Sequence, residues 1–178
     1  MKHVLESLPE ISRATIVGKG PSFSMPVHDG SFIVSINETF TRGFDCDLCI
    51  FNDWKVIPLI DVPGAKTYAT TLSPHANVPP YDLRASEIVR YGQFFDKRKD
   101  NISFYEIHNQ CAMPDYQSIQ SFGSTAEAAI HLLALHGVKD FHFIGIGDPP
   151  WTPQYSGSIP HYKRLKRVYN LNYSGSMT

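Results

Sequence analysis

"STAEAAIHLLALHGVKDFHFIGIGD", Ser124 to Asp148, decides how the rest of the chain is read. Its first part, Ser124 to Gly137, is apolar nearly all the way round a helical period. Ser124 and Glu127 make an S-x-x-E capping box at its start, and Gly137 fits the C′ stop. A helix apolar on every side needs cover on both sides. The second part, "DFHFIGIG" from Asp140 to Gly147, reads as a strong buried strand. Helix followed by buried strand is the unit from which α/β sheets are built.

Working outward, "RATIVG" (Arg13 to Gly18), "SFIVSIN" (Ser31 to Asn37) and "CDLCIFN" (Cys46 to Asn52) are short β-rich runs. "KTYATT" (Lys66 to Thr71) is a weaker candidate. "ISFYEIH" (Ile102 to His108) alternates as a strand near an edge does, and "RVYNLNY" (Arg167 to Tyr173) closes the sheet. "ETFTRG" after Asn37 gives at most a short helix. "YDLRASEIVRYGQFF" (Tyr81 to Phe95) carries Leu83, Ile88, Val89 and Phe95 at helical spacing. The expectation is an α/β fold: a single Rossmann-like domain over residues 1–178, with a mostly parallel sheet and helices on both faces. The Pro-rich tracts "SPHANVPPYD" and "GDPPWTPQYSGSIP" are loops, and the second follows the strongest strand, where open sheets place ligand loops.

The 178 residues, 42% hydrophobic and 19% charged, suit one globular core. A net charge of -1 offers no basic field for nucleic acid or an anionic membrane. The longest apolar stretch, Ala126 to Leu135, is too short to span a bilayer, and the N-terminus has no signal-type h-region, so a cytoplasmic location is expected by default. Cys46, Cys49 and Cys111 make no disulfide framework. "CDLC" lies in a strand, where residues three apart face opposite ways, so a buried structural pair is expected rather than a redox or metal motif.

Three features point to an anionic ligand. "GKGPS", Gly18, Lys19, Gly20, Pro21 and Ser22, leaves the first strand through a glycine turn, expected to use φ > 0 and to bare backbone amides. Taken alone it is equally a plain turn, since it is neither G-x-G-x-x-G nor a Walker loop. Asn37 and Asn52 end the second and third strands, where their amides would face the crevice above the sheet. Gly123, Ser124 and Thr125 open the buried helix, whose N-terminus carries about half a positive charge and free N–H groups.

Other residues invite metal or stacking readings. Asp45 and Asp47 form a D-x-D, but it precedes its strand instead of following it. Asp53, at a strand end, is better placed to hold magnesium with a nucleotide. Trp54 and Trp151 follow strand ends and could stack on a base or simply anchor loops. His131, His136 and His142 lie in the helix and strand, whereas His75 and His108 lie near loops. His161, before "YKRLKR", is either a base or an ordinary helix residue.

With "GKGPS", Asn37, Asn52, "GSTAEAAIHLLALHGVKDFHFIGIGD" and "HYKRLKRVYNLNYSGS" in this order, the chain resembles the bacterial sialyltransferase type. That family has a G-x-G-P-S loop, an Asn after the second and third strands, a T-S-G helix start, a strand ending G-I-D and a His ahead of a late helix. The 6-hydroxymethylpterin diphosphokinase-like proteins are similar in the first and last of these features. The resemblance implies that Gly18, Gly20, Pro21 and Ser22 hold a nucleotide, that Asn37 and Asn52 contact it and its attached group, and that Ser124 lies near the donor. It implies further that His161 is the general base and that Tyr155 assists the leaving phosphate, without a metal. Asp148 matches the aspartate of G-I-D, displaced by one residue in "GIGD", and "GST" displaces the hydroxyls of T-S-G. The short loop from Asp148 to His161 replaces a longer lid.

Three functions follow from these readings. One is a compact glycosyltransferase using a nucleotide sugar. Another is a non-catalytic protein that sequesters or senses a nucleotide. The third is a diphosphokinase-like phosphotransferase using magnesium and ATP through Asp53. All three take a small-molecule nucleotide ligand, with no nucleic acid or membrane partner, and a homo-oligomer would complete a pocket left open by the short lid.

Overall fold

The computed structural model describes residues 1–72, 74, 81–107, 118–119, 124–146 and 159–176. Eight strands form one sheet: β1 (Arg13–Val17), β2 (Phe32–Ile36), β3 (Cys46–Phe51), β4 (Ala65–Thr71), β5 (Ser103–Ile107), β6 (Ser118–Ile119), β7 (Asp140–Ile144) and β8 (Asn172–Gly175). Their order is β6-β5-β4-β3-β2-β1-β7-β8, and every pairing is parallel. The helices are α1 (Tyr81–Arg98), α2 (Thr125–Leu135) and α3 (Ile159–Tyr169), with 3-10 helices at Asn37–Arg42 and Trp54–Leu59 among the connections.

Parallel strands buried on both faces need two apolar sets in alternation, and the central strands supply them. Ala14, Ile16, Val34, Ile36, Leu48 and Ile50 face the core that holds α2 and α3. Val17, Ile33, Cys49 and Phe51 face the opposite core, with Phe40, Trp54 and Ile57 from the two 3-10 helices and Tyr91 and Phe95 from α1. The expected α/β architecture with helices on both faces is therefore what the chain adopts.

The quoted helix keeps its expected boundaries. Ser124 Oγ accepts a hydrogen bond from the Glu127 amide at 3.1 Å, as an N-cap does. At the other end Gly137 N–H donates to Ala134 O and Val138 N–H to Leu133 O, the paired bonds of a Schellman stop. Every residue from Thr125 to Ala134 is buried, because the sheet covers one side of α2 and α3 the other. Four alanines in that span keep the layers close.

The helix expected from Tyr81 to Phe95 runs on to Arg98, and one strand start is displaced further. Arg167, Val168 and Tyr169, read as the start of the last strand, form the last turn of α3, and β8 begins at Asn172. Their β-rich composition is overridden by tertiary contact. Tyr162 and Leu165 are buried and Tyr169 packs beside them, a helical spacing that lays α3 on α2.

From β1 the chain adds β2 to β6 on one side, then returns to place β7 and β8 on the other. β1 and β7 therefore flank the topological switch point, outside whose carboxyl ends open α/β sheets bind ligands.

Candidate functional site

All strand carboxyl ends lie at one edge, so the segments after β1, β2, β3 and β7 meet there. The glycine turn after β1 is not the loose anion cradle its sequence suggests. Positive φ occurs at Gly145 but at neither Gly18 nor Gly20. Their amides are not bare: Gly18 N–H donates to Ile144 O at 2.8 Å and Gly20 N–H to Gly145 O at 2.9 Å. Ser22 Oγ accepts from the Gly145 amide at 3.2 Å. Phe23 N–H donates to Gly20 O, which places Pro21 and Ser22 in the middle of a tight turn. Glycine is needed at 18 for close approach: a Cβ there would lie 2.7 Å from Gly145 O. The turn clasps the β7 loop across the switch point.

Lys19 reaches the next segment, its Nζ 2.5 Å from Glu38 Oε1. The Lys19 contact helps hold Glu38 below the ordinary carboxylate range against the burial that would raise it. Beside Glu38, Asn37 takes a left-handed conformation, φ +52°, which Asn tolerates better than most residues. It starts the 3-10 helix, and its Oδ1 accepts from Thr125 Oγ1 at 3.3 Å. The glycine turn is thus linked through Glu38 and Asn37 to the first turn of α2.

Asn52 directly follows β3 and is only 3% exposed. Its Oδ1 accepts a hydrogen bond from the Tyr105 hydroxyl, which comes from β5. Burial pushes that phenol well above its ordinary range, so it stays a neutral donor. The amide oxygen is therefore engaged and the Nδ2 side must present donors. Asn52 Nδ2 is buried and has no hydrogen-bond partner among the described residues. Such an orphan costs about 1–3 kcal/mol.

At the start of α2, Ser124 Oγ lies 2.7 Å from the Tyr162 hydroxyl of α3. One helical turn on, Glu127 is fully buried, and its Oε1 lies 3.9 Å from His161 Nδ1. Burial, and then the Arg164 charge, hold the His161 imidazolium below the ordinary histidine range. At neutral pH the ring is thus uncharged and able to accept a proton.

Of the residues singled out from sequence, the described structure brings Asn37, Thr125, Ser124 and His161 to one region through α2, and puts Lys19 beside it. Asn52 and Asp53 lie at the same sheet edge, one strand further out. Asp53 Oδ2 is 3.2 Å from Lys55 Nζ. Gly123, Asp148, Trp151 and Tyr155, with His75, His108 and Cys111, lie outside the described residues. Trp54 serves as an anchor, 5% exposed and stacked on Phe95 with ring centroids 4.3 Å apart. Asp47 belongs to the opposite edge, where it bonds the Ile33 amide and Lys66. That edge also holds a depression of about 370 Å³ lined by Arg13, His28 and Asp47. No group of three or more metal-ligating side chains occurs among the described residues, and none of their helices is long and apolar enough to cross a membrane.

Sequence reasoning missed Tyr105 and the second contact of Glu127. Tyr105 carried no local signal, because its partner is on another strand. Glu127 did carry one: it is a lone carboxylate in an otherwise apolar helix, and its capping position concealed the question of where the side chain goes.

No family model and no curated protein matches the chain. Its fold is similar to solved Campylobacter jejuni sialyltransferases. An apo alpha-2,3-sialyltransferase from that organism aligns at TM-score 0.56 and 13% identity over 94% of this chain and 76% of the other. The monofunctional alpha-2,3-sialyltransferase Cst-I gives 0.56 and 13% over 93% and 76%. The sialyltransferase CST-II, in complex with trisaccharide acceptor and CMP, gives 0.53 and 14% over 93% and 81%. The sialyltransferase fold is common to all of them.

Proposed function

We propose that the chain binds a cytidine nucleotide sugar across the carboxyl edge of the sheet and transfers the sugar to a hydroxyl acceptor. The observation that carries the reading is the buried Nδ2 of Asn52, which has no partner among the described residues and whose orientation Tyr105 sets. An orphan donor at a strand's carboxyl end awaits an acceptor atom, and a nucleotide offers many. Asn37 and Thr125, joined at 3.3 Å, supply polar groups at the helix start, where the dipole favours a phosphate. Sialyltransferases of the same fold, described in complex with CMP and with the substrate analogue CMP-3FNeuAc, support the choice of nucleotide.

His161 would act as the base. Its neutral ring takes the proton of the acceptor hydroxyl as that oxygen bonds to the sugar's anomeric carbon, and the bond from that carbon to the nucleotide phosphate breaks. The electron pair leaves with the phosphate, which the α2 start stabilises. Tyr155, assigned by resemblance, would donate a hydrogen bond to the same phosphate. No step calls for a metal.

The test is calorimetry with CMP, UMP, GMP and AMP, followed by mass spectrometry of mixtures with CMP-sialic acid and a lactose acceptor. Binding restricted to CMP, with sialyl-lactose formed, is the expected result. CMP binding with the donor recovered intact would reduce the protein to a nucleotide binder, and no binding at all would overturn the reading.

A further inference from the structure

We propose that Glu127 is a positioning residue for His161: its carboxyl holds the imidazole by Nδ1 and leaves Nε2 to receive the proton. The role rests on the reading of His161 as base. Glu127 is the one fully buried carboxylate among the described residues, and a carboxyl on a buried apolar helix is costly. If it served only to tie α2 to α3, an apolar side chain of similar volume would do so at least as well.

The geometry gives it a different task. Ser124 meets Tyr162 at 2.7 Å, and Glu127 one turn later meets His161, the neighbouring residue, at 3.9 Å from Nδ1. Two adjacent residues of α3 are thereby registered against one turn of α2. In a neutral imidazole one ring nitrogen carries the proton and the other a lone pair, and the partner of the first decides which. An ionised carboxylate oxygen can only accept from Nδ1–H in this pairing, so Nε2 keeps its lone pair. Contacts of this kind are often long without substrate and shorten in the complex. The Arg164 charge, on the same helix, also acts on the ring, and Glu127 acts on the Tyr173 phenol as well.

The tautomer can be read directly by long-range proton–nitrogen spectra of the nitrogen-15-labelled protein. The His161 signals are those lost in His161→Asn. Wild type should show the Nδ1–H form at neutral pH, and Glu127→Met should revert to the Nε2–H form. An Nε2–H form in wild type, or no change in Glu127→Met, overturns the proposal. Should Glu127→Met fail to fold, Glu127→Gln decides: its amide oxygen still accepts from Nδ1–H, but without charge. The His161 pKa should then fall by about one further unit; an unchanged pKa overturns the role. Transfer assayed in His161→Ala separates the two layers. Loss of transfer together with the wrong tautomer removes only the Glu127 role, whereas surviving transfer removes His161 as base and the positioning role with it.

Discussion

Gly18 and Gly145 lie back to back, each with its Cα hydrogen facing the other's backbone. A Cβ on Gly145 would sit 2.5 Å from Gly18 O, and one on Gly18 2.7 Å from Gly145 O. The loops after β1 and β7 can clasp only because both residues lack a side chain. Gly18→Ala should destabilise the fold by about 1–3 kcal/mol through forced separation. Gly145→Ala should cost more, since its φ of +63° also disfavours a Cβ. Urea unfolding measures both, and a Gly145→Ala variant as stable as wild type would contradict the clasp.

Tyr105 and Asn52 make a second pair with a measurable consequence. Tyr105→Phe removes the hydroxyl that engages Asn52 Oδ1 and leaves a buried carbonyl unsatisfied. We expect a stability loss of about 1–3 kcal/mol. The freed amide can flip, so CMP affinity should fall about three- to tenfold, roughly 0.7–1.4 kcal/mol. Asn52→Leu should lose more CMP affinity than Tyr105→Phe, yet lose less stability, because the Tyr105 hydroxyl can still donate to Phe51 O at 3.3 Å. Calorimetry and denaturation on the two variants separate these effects.

The depressed His161 pKa sets a direction for stability against pH. The unfolded chain takes up the proton first as pH falls through the ordinary histidine value of 6.5, so it binds more protons than the native state. His161 therefore subtracts stability from that pH downward until its own lower pKa is passed. A His161→Gln variant should lose less stability between pH 7.5 and 5.5 than wild type. Equal slopes in urea unfolding would show that the imidazole is not held neutral.

Cys46 and Cys49 are both buried, and burial pushes the Cys46 thiol up to about 12 and Cys49 well above its ordinary range. Cys49 further donates to Asn37 O at 3.2 Å. Neither should form a thiolate near neutrality. Peptide mapping after iodoacetamide treatment should find both unlabelled in native protein and labelled after denaturation. Native labelling of Cys49 would mean that the turn at Asn37 opens readily.

Most strands were legible because a doubly buried parallel sheet writes itself as short runs of β-branched and aromatic residues, as at Ile33 and Val34 or Phe141 and Phe143. The carboxyl-edge placement of Asn37 and Asn52 followed from the same runs. What stayed hidden were pairings between residues far apart in the chain. Gly18 and Gly20 look like a cradle when read locally, but their amides are taken by the carbonyls of Ile144 and Gly145 at the end of β7. Arg167 to Tyr169 have strand-like composition, and only the face of α2 shows why they coil. Glu127 satisfies a local capping rule so well that its buried side chain raised no question until His161 was placed beside it.

The position of β1 between β2 and β7 also bears on how the protein is made. As the chain leaves the ribosome, β1 through β6 can pair among themselves, but one rim of β1 stays open until Asp140 to Ile144 arrive. During that interval the free rim of β1, Arg13–Val17, offers an unprotected ladder of amides and carbonyls to any extended neighbour. Completion of the switch point is thus also the event that ends the nascent chain's exposure to self-association.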